Sequence, residues 1–193
     1  ASQKDYALEL RKSTCTERLA VLARFEKVFK ASYRKMYAAA AADFAKPEAE
    51  VDMAEVMVVV SEIAHIRKNL KRWMKATPVK APLSMLGSSS KILVEPKGTS
   101  LVISPWNYPF NLTFGPMMSA IAAGNTVIIK PSEMTPNMSR VISDIVTEAF
   151  RPEEVALFEG TAEVSSYLTS LPFDHIFFTG SPAVGKLVMA AAA

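Results

Sequence analysis

An α/β fold, a doubly wound parallel sheet preceded by a helical amino-terminal segment, is the architecture this sequence predicts. Three observations carry it. After Gly98, short apolar runs alternate with helical stretches at a period of roughly 25 residues, the spacing of βαβ units around a parallel sheet. All 7 glycines fall at or after Gly87, so the first part lacks the residue that most often supplies turns. Hydrophobic residues make up 50% of the chain against 21% charged, enough apolar matter for a packed core.

Thr14 with Glu17 three residues on makes a capping-box start, and Leu22, Phe25, Phe29 and Met36 then recur at helical spacing. This predicts a helix from about Thr14 to Phe44, broken near Lys46 and Pro47. Met53, Val56, Val60, Ile63, Ile66, Leu70 and Trp73 mark a second long helix, which Pro78 is expected to end. Residues 1–77 thus form a helical segment packed on the α/β part of the chain. Residues 78–99 are an extended connection, with KILVEP reading as a strand. Residues 100–193 read as strand SLVIS, a helix around Pro116 to Ala123, strand TVIIK, a helix around Asn137 to Phe150, and strand VALFE. A helix near Glu163 to Leu168, strand HIFFT and a helix starting about Pro182 complete the series.

Composition excludes several classes of function. The single cysteine, Cys15, rules out an internal disulfide framework and a multi-cysteine zinc site, and it fits a reducing, cytoplasmic setting. His65 and His175 stand alone, so no metal is expected. No run approaches the roughly twenty apolar residues that span a bilayer, and the start ASQKDY has no signal-peptide character, so no membrane partner is expected. Residues 1–80 hold 16 of the 22 Lys and Arg and 10 of the 19 Asp and Glu, a balance of +6, and the rest carries −3. The cluster Arg67, Lys68, Lys71, Arg72, Lys75 reads as a solvated helix face, and without a helix-turn-helix, zinc-finger or RNP signature no nucleic acid is expected.

In a doubly wound sheet, ligands bind at the carboxyl ends of the strands. Polar and glycine-rich clusters begin there: PWN, KPSE, EGT and TGS. TGSPAVGK puts Gly180, Ser181 and Gly185 at a strand-to-helix junction, where exposed amides and the helix dipole favour a phosphate. There is no G-x-G-x-x-G, so an ordinary Rossmann fingerprint is not the warrant. KPSE puts Lys130 and Glu133 where a carboxylate can accept from ribose hydroxyls. PWN presents Asn107, whose amide can donate to a developing oxyanion.

The run SPWNYPFNLTFGPMMSAIAAGNTVIIKPSEMTP, with FDHIFFTGSPAVGK downstream, resembles the aldehyde dehydrogenase superfamily over about Pro78 to Ala193. KILVEPKGTSLVISPWNYPF looks most like its class 3 branch, which includes bacterial coniferyl aldehyde dehydrogenases. The resemblance implies an atypical Rossmann-like domain for NAD, with NADP as a second option, and an aldehyde as substrate. It implies that Asn107 is the side-chain half of an oxyanion hole and that Tyr108 and Leu112 border the aldehyde channel. Ile103, Ser104, Pro105 and Trp106 would lie along the cofactor, Lys130, Ser132 and Glu133 at its adenosine ribose, and Gly160 on the adenine side. Phe178, Gly180, Ser181 and Val184 would hold the pyrophosphate turn and helix. The family's nucleophilic cysteine and general-base glutamate come later than Ala193, and the ELGGK context of the latter is absent. Cys15 lies outside any family motif. The expectation is therefore the amino-terminal portion of a longer, homodimeric enzyme, with the catalytic domain absent and no turnover by these 193 residues alone. The alternative is a naturally short nucleotide-binding or interaction module, which an intact mass against 21.1 kDa would separate.

Overall fold

A computed structural model describes residues 2–85 and 87–193. The helical segment comprises α1 (Ser2–Leu10), α2 (Cys15–Ala31), α3 (Tyr33–Phe44) and α4 (Glu48–Val51), the last running through a π-helical turn at Asp52–Val56 into α5 (Met57–Trp73). A short antiparallel pair, β1 (Thr77–Val79) and β2 (Ser90–Ile92), connects it to the α/β part. That part comprises β3 (Thr99–Ile103), α6 (Pro109–Ala122), β4 (Thr126–Lys130), α7 (Pro136–Ala149), β5 (Val155–Leu157), α8 (Ala162–Thr169), β6 (His175–Phe178) and α9 (Pro182–Ala192).

The capping box at the start of α2 is formed: the Glu17 amide donates to Thr14 Oγ1 at 3.3 Å, and the Thr14 amide donates to Glu17 Oε2 at 2.7 Å. The single helix expected from Thr14 to Phe44 is instead two. Ser32 stands between them at φ −96°, ψ 0°, its hydroxyl donating to the Val28 carbonyl at 2.9 Å, a local bond that competes with the helical ladder. The break at Lys46 and Pro47 is present. Ala45 ends α3 in the left-handed region at φ 53°, its amide bonded to the Ala41 carbonyl at 2.9 Å. Pro78 does not end the second long helix, which stops at Trp73, and Pro78 lies within the short strand β1.

Two further boundaries differ from expectation. The helix placed near Pro116 begins at Pro109, which occupies the first turn where a missing N–H costs nothing, and Pro116 lies inside α6. The helix absorbs that lost bond because Phe110, Phe114, Met117 and Met118 are completely buried, so packing outweighs the local penalty. Helix α1 had no sequence signal. It is held by Gln3, whose side-chain amide donates to the carbonyls of Val127 at 3.1 Å and Pro152 at 2.9 Å.

The four-stranded sheet is parallel throughout, in the order β5-β4-β3-β6. The chain steps outward from β3 to β5 and then returns to the other side of β3, so the topological switch point lies between β3 and β6. Ile103 is level with Lys130 on one side and Phe178 on the other, which aligns three strand ends at one edge. One face is covered by α6 and α7 and, beyond them, by the helical segment, in a continuous core running from Phe25 and Ile63 to Phe114 and Ile129. A smaller cluster of Leu101, Ile103 and Leu168 lies on the other face. Among the described residues no helix is long and apolar enough to cross a membrane.

Candidate functional site

The turns at the carboxyl edge of the sheet hold all four motifs; PWN lines one cleft, while KPSE and EGT share another. After β3, Ile103 and Ser104 are buried; the Ser104 amide donates to the Lys130 carbonyl at 3.2 Å, and its hydroxyl accepts from Thr113 at 2.7 Å. Pro105 is half-buried, and the chain then emerges at Trp106, Asn107 and Tyr108. Trp106, Asn107 and Tyr108 line a cleft of about 400 Å³ with Phe44, Lys46 and Glu50 from the helical segment. Leu112 lines a different cleft, with Asn111, Gly115 and Phe177.

After β4, Lys130 is buried and donates from Nζ to the Pro131 carbonyl at 2.9 Å and to Glu133 Oε2 at 2.7 Å. That hydrogen bond holds the half-exposed Glu133 carboxyl below the usual carboxylate range. Ser132, Glu133 and Gly160 line a cleft of about 380 Å³ with Glu159 and Thr161. Gly160 sits at φ 144°, where a Cβ would come within 2.5 Å of Val164 Cγ2, so both conformation and space require glycine. After β6, the Phe178 ring folds back into the space that a side chain at Gly180 would fill and comes into van der Waals range of Gly185. Ser181 caps α9, its Oγ accepting from the Val184 amide at 3.3 Å, which leaves its hydroxyl hydrogen able to donate outward.

The helix amino termini at this edge are not equivalent. That of α7 is taken by Asp43 of α3, whose Oδ2 accepts from the Met138 amide at 2.8 Å and Oδ1 from the Asn137 amide at 3.3 Å. That of α6 is taken by Glu55 from the π-helical turn, whose Oε2 accepts from the Phe110 amide at 2.7 Å. Two carboxylates of the helical segment already occupy these positive ends, so a phosphate is disfavoured there, while among the described residues α9 is capped by its own serine.

Asp43, Lys46 and Glu55 were not singled out from the sequence. Glu55 was detectable: it lies in the row Val51, Glu55, Val59, Ile63, the other members of which are buried apolar residues, and an acid in such a row must find partners. Lys46 and Asp43 carry no comparable signal.

Cys15 opens α2, partly buried against the core. Arg18, one turn on, donates to the carbonyl of Ala122 at 3.0 Å, at the carboxyl end of α6, whereas Asn107 precedes the amino end of that helix. The 14 residues of α6 separate the two ends by about 20 Å. In an enzyme that carries this chain, replacing Cys15 by serine is therefore expected to leave turnover within about twofold. A tenfold loss in steady-state rate would place this thiol in the chemistry after all.

Comparison with known proteins gives a consistent answer. The sequence model described as the aldehyde dehydrogenase family matches residues 1–193. The chain is 44% identical over 155 residues to aldehyde dehydrogenase family 3 member B2 of Mus musculus, covering 80% of this chain and 32% of that protein. It is 43% identical over 150 residues to a protein of Caulobacter vibrioides described as a probable coniferyl aldehyde dehydrogenase, covering 76% of this chain and 31% of that one. The solved structure of a substrate-bound state of Staphylococcus aureus AldH superposes with a TM-score of 0.95 at 40% identity, over 99% of this chain and 42% of that one. The chain spans less than half the length of these relatives.

Proposed function

This chain belongs to the aldehyde dehydrogenase family, and on that premise we propose that it is the amino-terminal, cofactor-binding part of a cytoplasmic, homodimeric enzyme that oxidises an aldehyde to a carboxylic acid with NAD. The observation that carries this reading is the alignment of three strand ends, Ile103, Lys130 and Phe178, at one edge. Asn107, Glu133 and Ser181 lie on the turns that follow these three strands. We assign residues 100–193 to the cofactor domain and residues 1–77 to a helical layer that supports it.

The residues fit a dinucleotide. Glu133 presents a carboxylate in the same cleft as Gly160, whose missing Cβ lets the turn pack against Val164. Ser181 and the first turn of α9 offer donors for a diphosphate, while the occupied ends of α6 and α7 steer it away from themselves. A nicotinamide cofactor held by these residues would supply the hydride acceptor. The chain's own part in the chemistry is to bind and orient the cofactor and to donate the Asn107 amide hydrogen to the oxygen that gains charge when the aldehyde is attacked. That attack requires a thiolate from the remainder of the enzyme.

Cofactor choice tests the assignment. Glu133 has one oxygen on Lys130, its half-exposed carboxylate can still accept from the ribose hydroxyls, and a 2′-phosphate would bring negative charge against it. The paired Lys130 softens the repulsion, so NAD is preferred with measurable use of NADP. Glu133→Gln keeps an acceptor for Lys130 but removes the charge. It is expected to move the ratio of kcat/KM for the two cofactors toward NADP by about tenfold, or about 1.4 kcal/mol. A wild-type enzyme that favours NADP, or a ratio that stays put in the variant, would show that Glu133 does not read the ribose.

A further inference from the structure

The turn that presents Asn107 is held from outside its own strand and helix. Tyr108 occupies the N-cap position of α6 and makes no side-chain capping bond. The cap comes from Glu55, fully buried, which the π-helical turn at Asp52–Val56 carries in an otherwise α-helical stretch. Glu55 accepts from the Phe110 amide at 2.7 Å through Oε2 and from Lys46 Nζ at 3.1 Å through Oε1. Lys46 in turn donates to the backbone carbonyl of Asn107 at 2.8 Å, with its ammonium 4.5 Å from the centre of the Tyr108 ring. One ion pair thereby grips the backbone on both sides of Tyr108: the carbonyl before it and the amide two residues after it.

We propose that Glu55 and Lys46 form a buried clamp that positions the Asn107 turn, and that both are positioning residues for the oxidation. The proposal rests on the oxyanion role assigned to Asn107. Helix capping alone does not account for the arrangement. A serine or aspartate at position 108 would satisfy the Phe110 amide without burying a charge, but neither would hold the Asn107 carbonyl. Among the described residues, Asp43 caps α7 from the same helical segment with no ammonium in its contact set, so the added lysine distinguishes the turn that carries Asn107. A buried ion pair is also a poor choice for stability, because the cost of desolvation offsets much of the attraction; its gain is a defined geometry. Burial pushes the Glu55 carboxyl up, while Lys46 and the Phe110 and Asn111 amides pull it back toward the charged form that the clamp requires.

The test is a double-mutant cycle in the full-length enzyme, read as kcat in single turnover and as KM for NAD. Glu55→Gln keeps the side-chain volume and one acceptor, and is expected to lower kcat about tenfold, in the range for residues that orient a reacting group, with KM for NAD within twofold. In an Asn107→Ala background the same substitution is expected to cost little more, because the group it positions is gone. Equal losses in both backgrounds would overturn the clamp, as would an unchanged kcat in Glu55→Gln while Asn107→Ala is slow. If Asn107→Ala is itself without effect, the oxyanion assignment falls and takes the catalytic role of the clamp with it. Should Glu55→Gln fail to fold, Lys46→Met leaves the Phe110 cap in place and removes only the grip on the Asn107 carbonyl, and the same cycle applies.

Discussion

Replacing Asn107 by alanine in the full-length enzyme is expected to slow the chemical step about 100- to 1,000-fold, the loss of about 2.7 to 4 kcal/mol that accompanies removal of one oxyanion donor. An asparagine in a turn is more often structural, bonding its own backbone or a neighbour, and the structure supplies the contrast. Asn125 is of that kind: its Oδ1 accepts from the Gly98 amide at 2.9 Å and its Nδ2 donates to the Ala120 carbonyl at 3.2 Å. Among the described residues, Asn107 has only its backbone carbonyl engaged, by Lys46, while its side chain is exposed at the end of β3. The backbone of the turn is thus held by Lys46, and the side-chain amide, without a partner among the described residues, is left able to donate. Single-turnover hydride transfer is the measurement, since product release can mask the chemical step. The affinity for NAD should change little, because the oxygen it serves forms only after attack. A loss below threefold would mean that another group stabilises the charge.

The parallel sheet was legible because its strands are continuous apolar runs that repeat with the helices between them; TVIIK, read as a strand, is β4 to the residue. The placement of the motifs at strand ends comes from the same period. What local pattern could not reveal depends on contacts distant in sequence. The helix start at Pro109 rather than Pro116 is stabilised by Glu55, 55 residues earlier than the amide it caps. The ladder break at Ser32 turns on a hydroxyl bonding its own helix, a choice that serines in helices make or decline according to their surroundings. Around the candidate site, the pairing of Lys130 with Glu133 was close to legible at three residues' spacing. The separation of Tyr108 and Leu112 into two clefts was not, because one of those clefts is walled by the end of α3.

Phe25→Ala is the second large effect, and it bears on how the helical segment and the sheet depend on each other. Phe25 is fully buried in α2, with its ring centroid 5.6 Å from Phe29, 5.1 Å from Phe114 of α6 and 5.8 Å from Phe150, the residue after α7. The side chain therefore joins the outer helical layer to both helices that cover the sheet. Truncating a buried phenylalanine costs about 3–5 kcal/mol, from lost transfer free energy and from a cavity that rigid neighbours cannot close. Three aromatic partners at these separations argue for the upper part of that range. Against a total stability of about 5–15 kcal/mol for a folded domain, such a loss is a large fraction. Urea unfolding, monitored both by far-ultraviolet circular dichroism and by hydrogen exchange at α2 and β4 amides, reads the result. The expectation is one coincident transition whose midpoint falls by about 2 M, taking a slope near 2 kcal/mol per molar. If α2 lost protection at low urea while β4 kept its own, or if the midpoint moved by less than about 0.5 M, the two layers would not share a cooperative core. Position 107 would then be clamped from a layer that opens independently of the sheet, and the geometry of the Asn107 turn would be lost with each opening.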